Sequence, residues 1–418
     1  MFTIRFGIPL GIILVLFLRS ASPSHAQSAS PERSVITDST HALKEGTVGI
    51  TRKDSSIQKD SSAKAVRDST RADTANVQKQ GGIGAPFLEY SPETGLGAGL
   101  VGIYYFHLSH DSVLVKTGRP SNLAAGFTVT TKHQFTSGLG YDLYLDSDRY
   151  HLIGGFDFKR YPFNFYGVGD HSPINPIDHY TPLWIGGDAV FAVKLLNTPV
   201  GNGLNLGTEL EIRHDKILSS DSGAIIQAGN VPGAKGGLTS GAGYNLSFDD
   251  RDNVYSTHSG QYAYISAMYY GTLLGSTFNF NRYTLDLRSF TPVFTTHTLA
   301  FQGIVVVVKG VEPFYEMARL GGELNLRGYY EGRLRDNNMV LLQGEYRLPV
   351  WWRFGLVGFG DIGQVAGSVT GFKADAFRYS FGAGLRVMII PEEHLGVRLD
   401  YGIGNDSQEL YFSILEAF

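Results

Sequence analysis

The chain has 418 residues, a formal net charge of -4, 18% charged side chains and a mean hydropathy of -0.06, figures that alone would fit a water-soluble protein of two or three domains. With no cysteine it cannot carry disulfides, thiolate-bound zinc, iron–sulfur clusters, thiol catalysis or a lipoprotein anchor. The near balance of 35 basic and 39 acidic residues provides no protein-wide positive field for nucleic acid, and 52 glycines with 23 tyrosines and 26 phenylalanines point away from a helical protein.

Residues 1–26 read as a Sec signal peptide. Arg5 supplies the positive start, Ile8 to Leu18 the apolar stretch, and Ser24-His25-Ala26 the small-residue cleavage site before Gln27. The apolar stretch is about half of the ~20 residues that a spanning helix needs, so a membrane anchor is the weaker reading. The next segment, 27–82, is rich in Ser, Thr, Asp and Lys, and lacks the apolar periodicity that would build a core. Lys53-Asp54-Ser55-Ser56, Lys59-Asp60-Ser61-Ser62 and Arg67-Asp68-Ser69-Thr70 repeat imperfectly within it. It reads as a disordered periplasmic tether, serving either as a solvated spacer or as a docking segment.

From residue 83 to Phe418 the pattern changes to short period-two segments broken by Gly, Asn, Asp and Pro, and 46 of the 52 glycines lie from Gly84 onward. The predicted strands are 83–90, 95–106, 121–131, 134–146, 149–158, 180–194, 203–214, 237–249, 260–271, 277–290, 297–309, 337–348, 352–364, 377–389, 394–402 and 408–418. Tyr379, Phe381, Ala383, Leu385, Val387 and Ile389 alternate with Arg378, Ser380, Gly382, Gly384, Arg386 and Met388. Leu395, Val397, Leu399 and Tyr401 likewise alternate with His394, Gly396, Arg398 and Asp400. Successive side chains of a strand face opposite ways, so one face is apolar without interruption and the other carries glycine and charge. A soluble sandwich also alternates, but this division matches lipid outside and a polar lumen inside. No apolar run of 18 residues follows the signal peptide, which excludes helical spanning. The expected fold is all-β, a 16-stranded antiparallel transmembrane β-barrel, with long loops at 159–179, 215–236 and 310–336.

The last of these loops carries a resemblance. Leu320-Gly321-Gly322-Glu323-Leu324-Asn325-Leu326-Arg327-Gly328-Tyr329, followed by Gly332-Arg333-Leu334-Arg335-Asp336, resembles the Arg-Gly-aromatic motif in the sixth extracellular loop of the BamA/TamA (bacterial surface antigen) family. Gln343-Gly344-Glu345-Tyr346-Arg347-Leu348-Pro349 and Phe359-Gly360-Asp361-Ile362-Gly363-Gln364-Val365 resemble its next two strand motifs. Phe87 to Gly95 and Tyr161 to Gly169 are similar to weaker signatures of the family. The strand count independently places the Arg-Gly-Tyr loop between the eleventh and twelfth strands, as the family has it.

The resemblance implies that this loop folds into the lumen and that Arg327 meets carboxylates on the inner wall, here Glu345 and Asp361. Glu345 shares the more polar face of its strand with Gln343 and Arg347, but Asp361 shares parity with Val357 and Phe359. Either a bulge near Gly358 or Gly360, or an inward Phe359, is needed to aim it at the lumen. Gly328 would allow a tight backbone turn, Tyr329 would pack against the wall, and Gly363 belongs to the strand motif. The alternative is that Arg327 caps an exposed hairpin. At the end of the chain, Phe412, Ile414 and Phe418 resemble the C-terminal signal by which barrels are recognised for insertion. The family also closes its last strand weakly against its first, forming a seam.

What the resemblance implies is a protein of the Gram-negative outer membrane, not an enzyme, which assists barrel insertion or polypeptide translocation. Family members carry POTRA domains before the barrel, where about 54 low-complexity residues stand here, so a periplasmic partner is expected. Outer-membrane lipids, the barrel assembly machinery for its own insertion, and an unidentified polypeptide substrate complete the expected partners. Nucleic acid is not among them. No motif calls for a cofactor or metal. Alternatives are a passive pore and, less favoured, a lipid-modifying enzyme, for which the scattered histidines offer no nucleophile elbow.

Overall fold

The computed structural model describes residues 80–108, 121–146, 148–198, 202–390 and 394–418. The signal peptide expected at 1–26 and nearly all of the tether expected at 27–82 lie outside the described residues. Sixteen wall strands run in sequence: β1 (Gln80–Ser91), β2 (Gly95–Phe106), β3 (Ser121–Thr130), β4 (Phe135–Leu145), β5 (Tyr150–Arg160), β6 (Asp178–Leu196), β7 (Gly203–Ser220) and β8 (Gly237–Asp249). They continue as β9 (Gly260–Tyr270), β10 (Phe280–Val293), β11 (His297–Gly310), β12 (Asn338–Trp351), β13 (Phe354–Ala366), β14 (Arg378–Ile390), β15 (Leu395–Gly404) and β16 (Gln408–Ile414). Each pairs antiparallel with its chain neighbour, and β16 returns to β1 to close the ring. All sixteen correspond to predicted strands, because each keeps a period-two pattern between turn residues.

Burial is inverted relative to a soluble domain. Leu88, Phe156, Ile185, Leu210, Ile265, Leu342 and Phe381 are exposed on the outside, whereas Lys159, Glu209, Arg213, Asp286, Arg288, Gln343 and Asp400 are buried. Charged groups are almost never fully buried unless paired, so this arrangement fits an apolar outer surface and an enclosed polar interior. Trp351 and Trp352 stand 71% and 74% exposed at the β12–β13 turn, Trp351 stacked on Phe354 and Trp352 tilted against it, where an aromatic girdle would meet the lipid headgroups.

Two expectations need correction. The inner wall is not uniformly polar: Ile304, Val306 and Val308 of β11 face inward and pack with Met339, Leu341 and Val365 against the loop. An apolar loop face requires an apolar wall. The last strand also stops at Ile414 and does not run to 418. Leu415 adopts φ +64°, and Ala417 and Phe418 pack with the inward side chains Phe290 and Ala300. Phe418 is therefore inside the barrel, and not on the outer face with Phe412.

Candidate functional site

The long loop 311–337 between β11 and β12 enters the barrel and is held at two places. Near its start, Arg282 of β10 reaches Glu312 at 2.5 Å and Glu316 at 3.1 Å. Arg213 of β7 bonds Asp215 through two nitrogens at 2.7 Å and also lies 2.6 Å from Glu316. Phe314, Tyr315 and Met317 pack beside these ions against Phe163, Phe165, Tyr180 and Trp184. The chain then forms a short hairpin, Ala318–Leu320 with Leu334–Asp336.

At its tip, between the two hairpin arms, lies Arg327. Its Nη1 donates to Glu345 Oε1 at 2.5 Å, and its Nε and Nη2 donate to the two oxygens of Asp361 at 3.3 and 3.2 Å. Its main-chain N–H donates to Asp361 as well, at 3.1 Å. Asp400 of β15 accepts from Nη1 at 3.4 Å, and the Phe359 ring lies 3.6 Å from the guanidinium carbon. Arg327, Glu345, Asp361 and Asp400 side chains have no exposed surface.

Three carboxylates around one cation would repel one another, so the surrounding charges matter. Glu345 also accepts from Arg347 at 2.8 Å, and Asp400 from Arg398 at 3.1 Å and from Arg386. Arg386 donates onward to Glu416 at 2.7 Å. With Glu323 of the loop 3.4 Å from Arg398, four arginines thus face five carboxylates in one network spanning β12, β13, β14, β15, the loop and the C-terminal tail. Fully satisfied, such a network fixes one geometry; half satisfied, it would be costly.

The strand register decides how Asp361 reaches the site. Gln343↔Asp361 and Glu345↔Phe359 lie in an unbroken ladder, and the irregularity between these strands falls at Pro349/Trp351. There is no bulge at Gly358 or Gly360, and Val357, Phe359 and Asp361 all point inward. Phe359 spends that inward position as the platform under Arg327, a cation–π contact that no spacing rule anticipates.

Gly328 has φ +100°, and a Cβ there would lie 2.8 Å from the carbonyl carbon of Gly402 on β15. Its N–H donates to the Tyr411 hydroxyl, which in turn donates to the Tyr329 carbonyl at 3.0 Å. Tyr329 is buried against the wall, its hydroxyl accepting from the Asn405 N–H at 2.7 Å. Gly363 leaves room for Leu320, whose Cδ1 would sit 3.0 Å from a Cβ. The two weaker upstream signatures also border the loop. Glu93, in the β1–β2 turn, accepts the Glu331 N–H at 2.7 Å, with burial holding its carboxyl above the usual range, and Gly169 donates to the Arg335 carbonyl at 2.8 Å.

Phe412 lies on β16 opposite Tyr90, and Ile414 closes that strand opposite Val397. Phe418 accepts a bond from Arg347 at its main-chain oxygen, 2.8 Å, and its ring also faces that guanidinium. Sequence reasoning placed Arg386, Arg398 and Asp400 on polar strand faces without joining them to Arg327. It missed the Arg213 and Arg282 anchor altogether. The signal was there, since Glu209, Glu211, Arg213 and Asp215 occupy alternate positions of one strand.

Fold and site together define a class: a sixteen-stranded transmembrane barrel whose interior is occupied by the loop between its eleventh and twelfth strands. Residues 116–418 match the Omp85 superfamily domain, and the chain belongs to that superfamily of outer-membrane barrels. No curated protein matches it in sequence. Among solved structures it is similar to BamA from Haemophilus ducreyi lacking POTRA domains 1–3, with 15% identity and a TM-score of 0.55 over 80% of this chain and 70% of that one. It is also similar to CdiB from Acinetobacter baumannii, at 13% identity and TM-score 0.53 over 81% and 60% of the two chains. CdiB from Escherichia coli gives 11% and 0.51 over 80% and 62%.

Proposed function

We propose that this protein assists the insertion of polypeptides into the outer membrane, or their passage across it, by presenting unpaired strand edges at the junction of β1 and β16. The observation that carries the reading is the junction itself: among the described residues only Tyr90↔Phe412 pairs across it. On its other side β1 pairs with β2 along its whole length, from Gln80↔Phe106 to Ser91↔Gly95. Unpaired edges are templates for an incoming strand. The buried loop, with Leu320, Leu326 and Arg327 fully enclosed, speaks against free diffusion through the lumen. The role needs no enzymatic chemistry. It includes export by the 1–26 signal, a periplasmic partner that delivers substrate, and insertion signalled by Phe412, Ile414 and Phe418.

The test is photocrosslinking in cells from outward positions at the edges, Leu88 and Leu410, with Leu210 on β7 as control. Capture of outer-membrane polypeptides from Leu88 and Leu410 alone is the expected result. Equal capture from Leu210, or none from either edge combined with large steady conductance in planar bilayers, would replace this reading with a pore.

A further inference from the structure

We propose that the β1 edge selects incoming polypeptide strands that carry a lysine on their inward face, with Glu89 and Glu93 receiving its ammonium group. The inference rests on the edge reading above and adds a substrate chemistry to it. A cavity lies where β1, β16 and the loop tip meet, and its walls include Glu89, Glu93, Glu323, Asn325, Glu331 and Ser413.

Four carboxylates share this space, and two of them have cations nearby. Arg398 lies 3.4 Å from Glu323, and Glu331 stands in the field of Arg319 and Arg335. The other two do not. Among the described residues no basic group comes within 4.0 Å of Glu89 or Glu93, and the Glu89 carboxylate makes no hydrogen bond. Asn325, only 9% exposed, lines the same cavity, and its side-chain amide makes no hydrogen bond either. Enclosed carboxylates and an enclosed amide without such partners call for a positively charged donor. Among the described residues no three acidic or histidine side chains converge closely enough to hold a metal ion. The room for water-sized groups is about 30 Å³, two such groups at the ~10–15 Å³ that each needs, so an ammonium fits and a large organic cation does not.

The ladder explains what would supply that donor. Antiparallel pairing of Tyr90 with Phe412 sets Ser413 against Glu89, while on its other side Glu89 is paired with Gly97 of β2. Both neighbours are small and uncharged, so neither satisfies the carboxylate. A strand that pairs with β1 in place of β16 sets its own inward side chain opposite Glu89, and residues directly opposite on one face of an antiparallel pair lie within reach of each other. Lysine at that position carries its ammonium to Glu89 and Glu93. The same strand shifted by one residue would turn the lysine to the lipid side, where no carboxylate waits.

The test uses short synthetic peptides of alternating apolar and polar residues, labelled with a fluorophore and added to the full chain folded in detergent micelles, with empty micelles as the blank. One peptide has lysine at its central polar position, a second has glutamine there, and a third has the lysine moved by one residue to the apolar face. The expected result is that the first binds about tenfold more tightly than the other two, and that Glu89→Gln removes this preference. Gel mobility of unheated samples establishes that the variant is folded. Equal binding of the lysine and glutamine peptides would overturn the inference and leave the edge reading standing, as would a lysine preference that survives in E89Q or that ignores the one-residue shift. Binding of none of the three would overturn the inference together with the edge reading on which it rests.

Discussion

The β6–β7 junction and the β1–β16 junction are built from the same antiparallel ladder and differ in almost everything else. The first runs from Tyr180↔Ser220 to Leu196↔Leu204 and lies beside the loop anchor at Arg213. The second has the pair Tyr90↔Phe412 and, in β16, a chain that turns inward at Leu415. Backbone pairing alone would close a barrel evenly. The difference teaches that closure is uneven by sequence, with the weak junction next to the wall on which the loop tip is pinned.

The largest way to disturb this contrast is at the pin. Arg327→Ala leaves Glu345, Asp361 and Asp400 buried with a cation missing, a loss of about 3–5 kcal/mol. The folded band on unheated gels should then melt at lower temperature, and an unchanged melting temperature would show that the network is not what holds β12, β13 and β15 together. Arg282→Gln acts at the other anchor, where Arg213 still holds Glu316 but Glu312 loses its cation, and should cost about 3 kcal/mol, the lower end of that range. It should expose 311–317 to protease before the barrel melts; protection equal to wild type would count against a separate base anchor. The smallest effect is expected from Tyr411→Phe, which removes a hydroxyl serving Gly328 and Tyr329 at about 0.5–1.5 kcal/mol. Thermal melts with no shift would mean that water replaces that hydroxyl.

The strands were legible because lipid outside and enclosed polar groups inside impose a strict period of two, as in β14 and β15. The Arg327–Glu345 meeting was legible only through a motif, since the two residues come from a loop and a strand with no local spacing between them. Phe359 shows the limit: parity put it on the same side as Asp361, but only the folded loop supplies the guanidinium that makes an inward aromatic favourable. The inward turn of Glu416 to Phe418 was illegible for a similar reason. A terminal phenylalanine after alternating apolar residues fits the outer face equally well until Arg347, Arg386 and Phe290 are brought beneath it.

The most direct measurement is hydrogen exchange of backbone amides in the detergent-folded protein, comparing β1 and β16 with β6 and β7. Unpaired edges exchange through small local openings, whereas a full ladder must open with the barrel. The account predicts that amides of β1 and β16 facing the junction exchange orders of magnitude faster than those between β6 and β7. Equal protection at both junctions would contradict it, and with it the proposal that polypeptides are received at this edge.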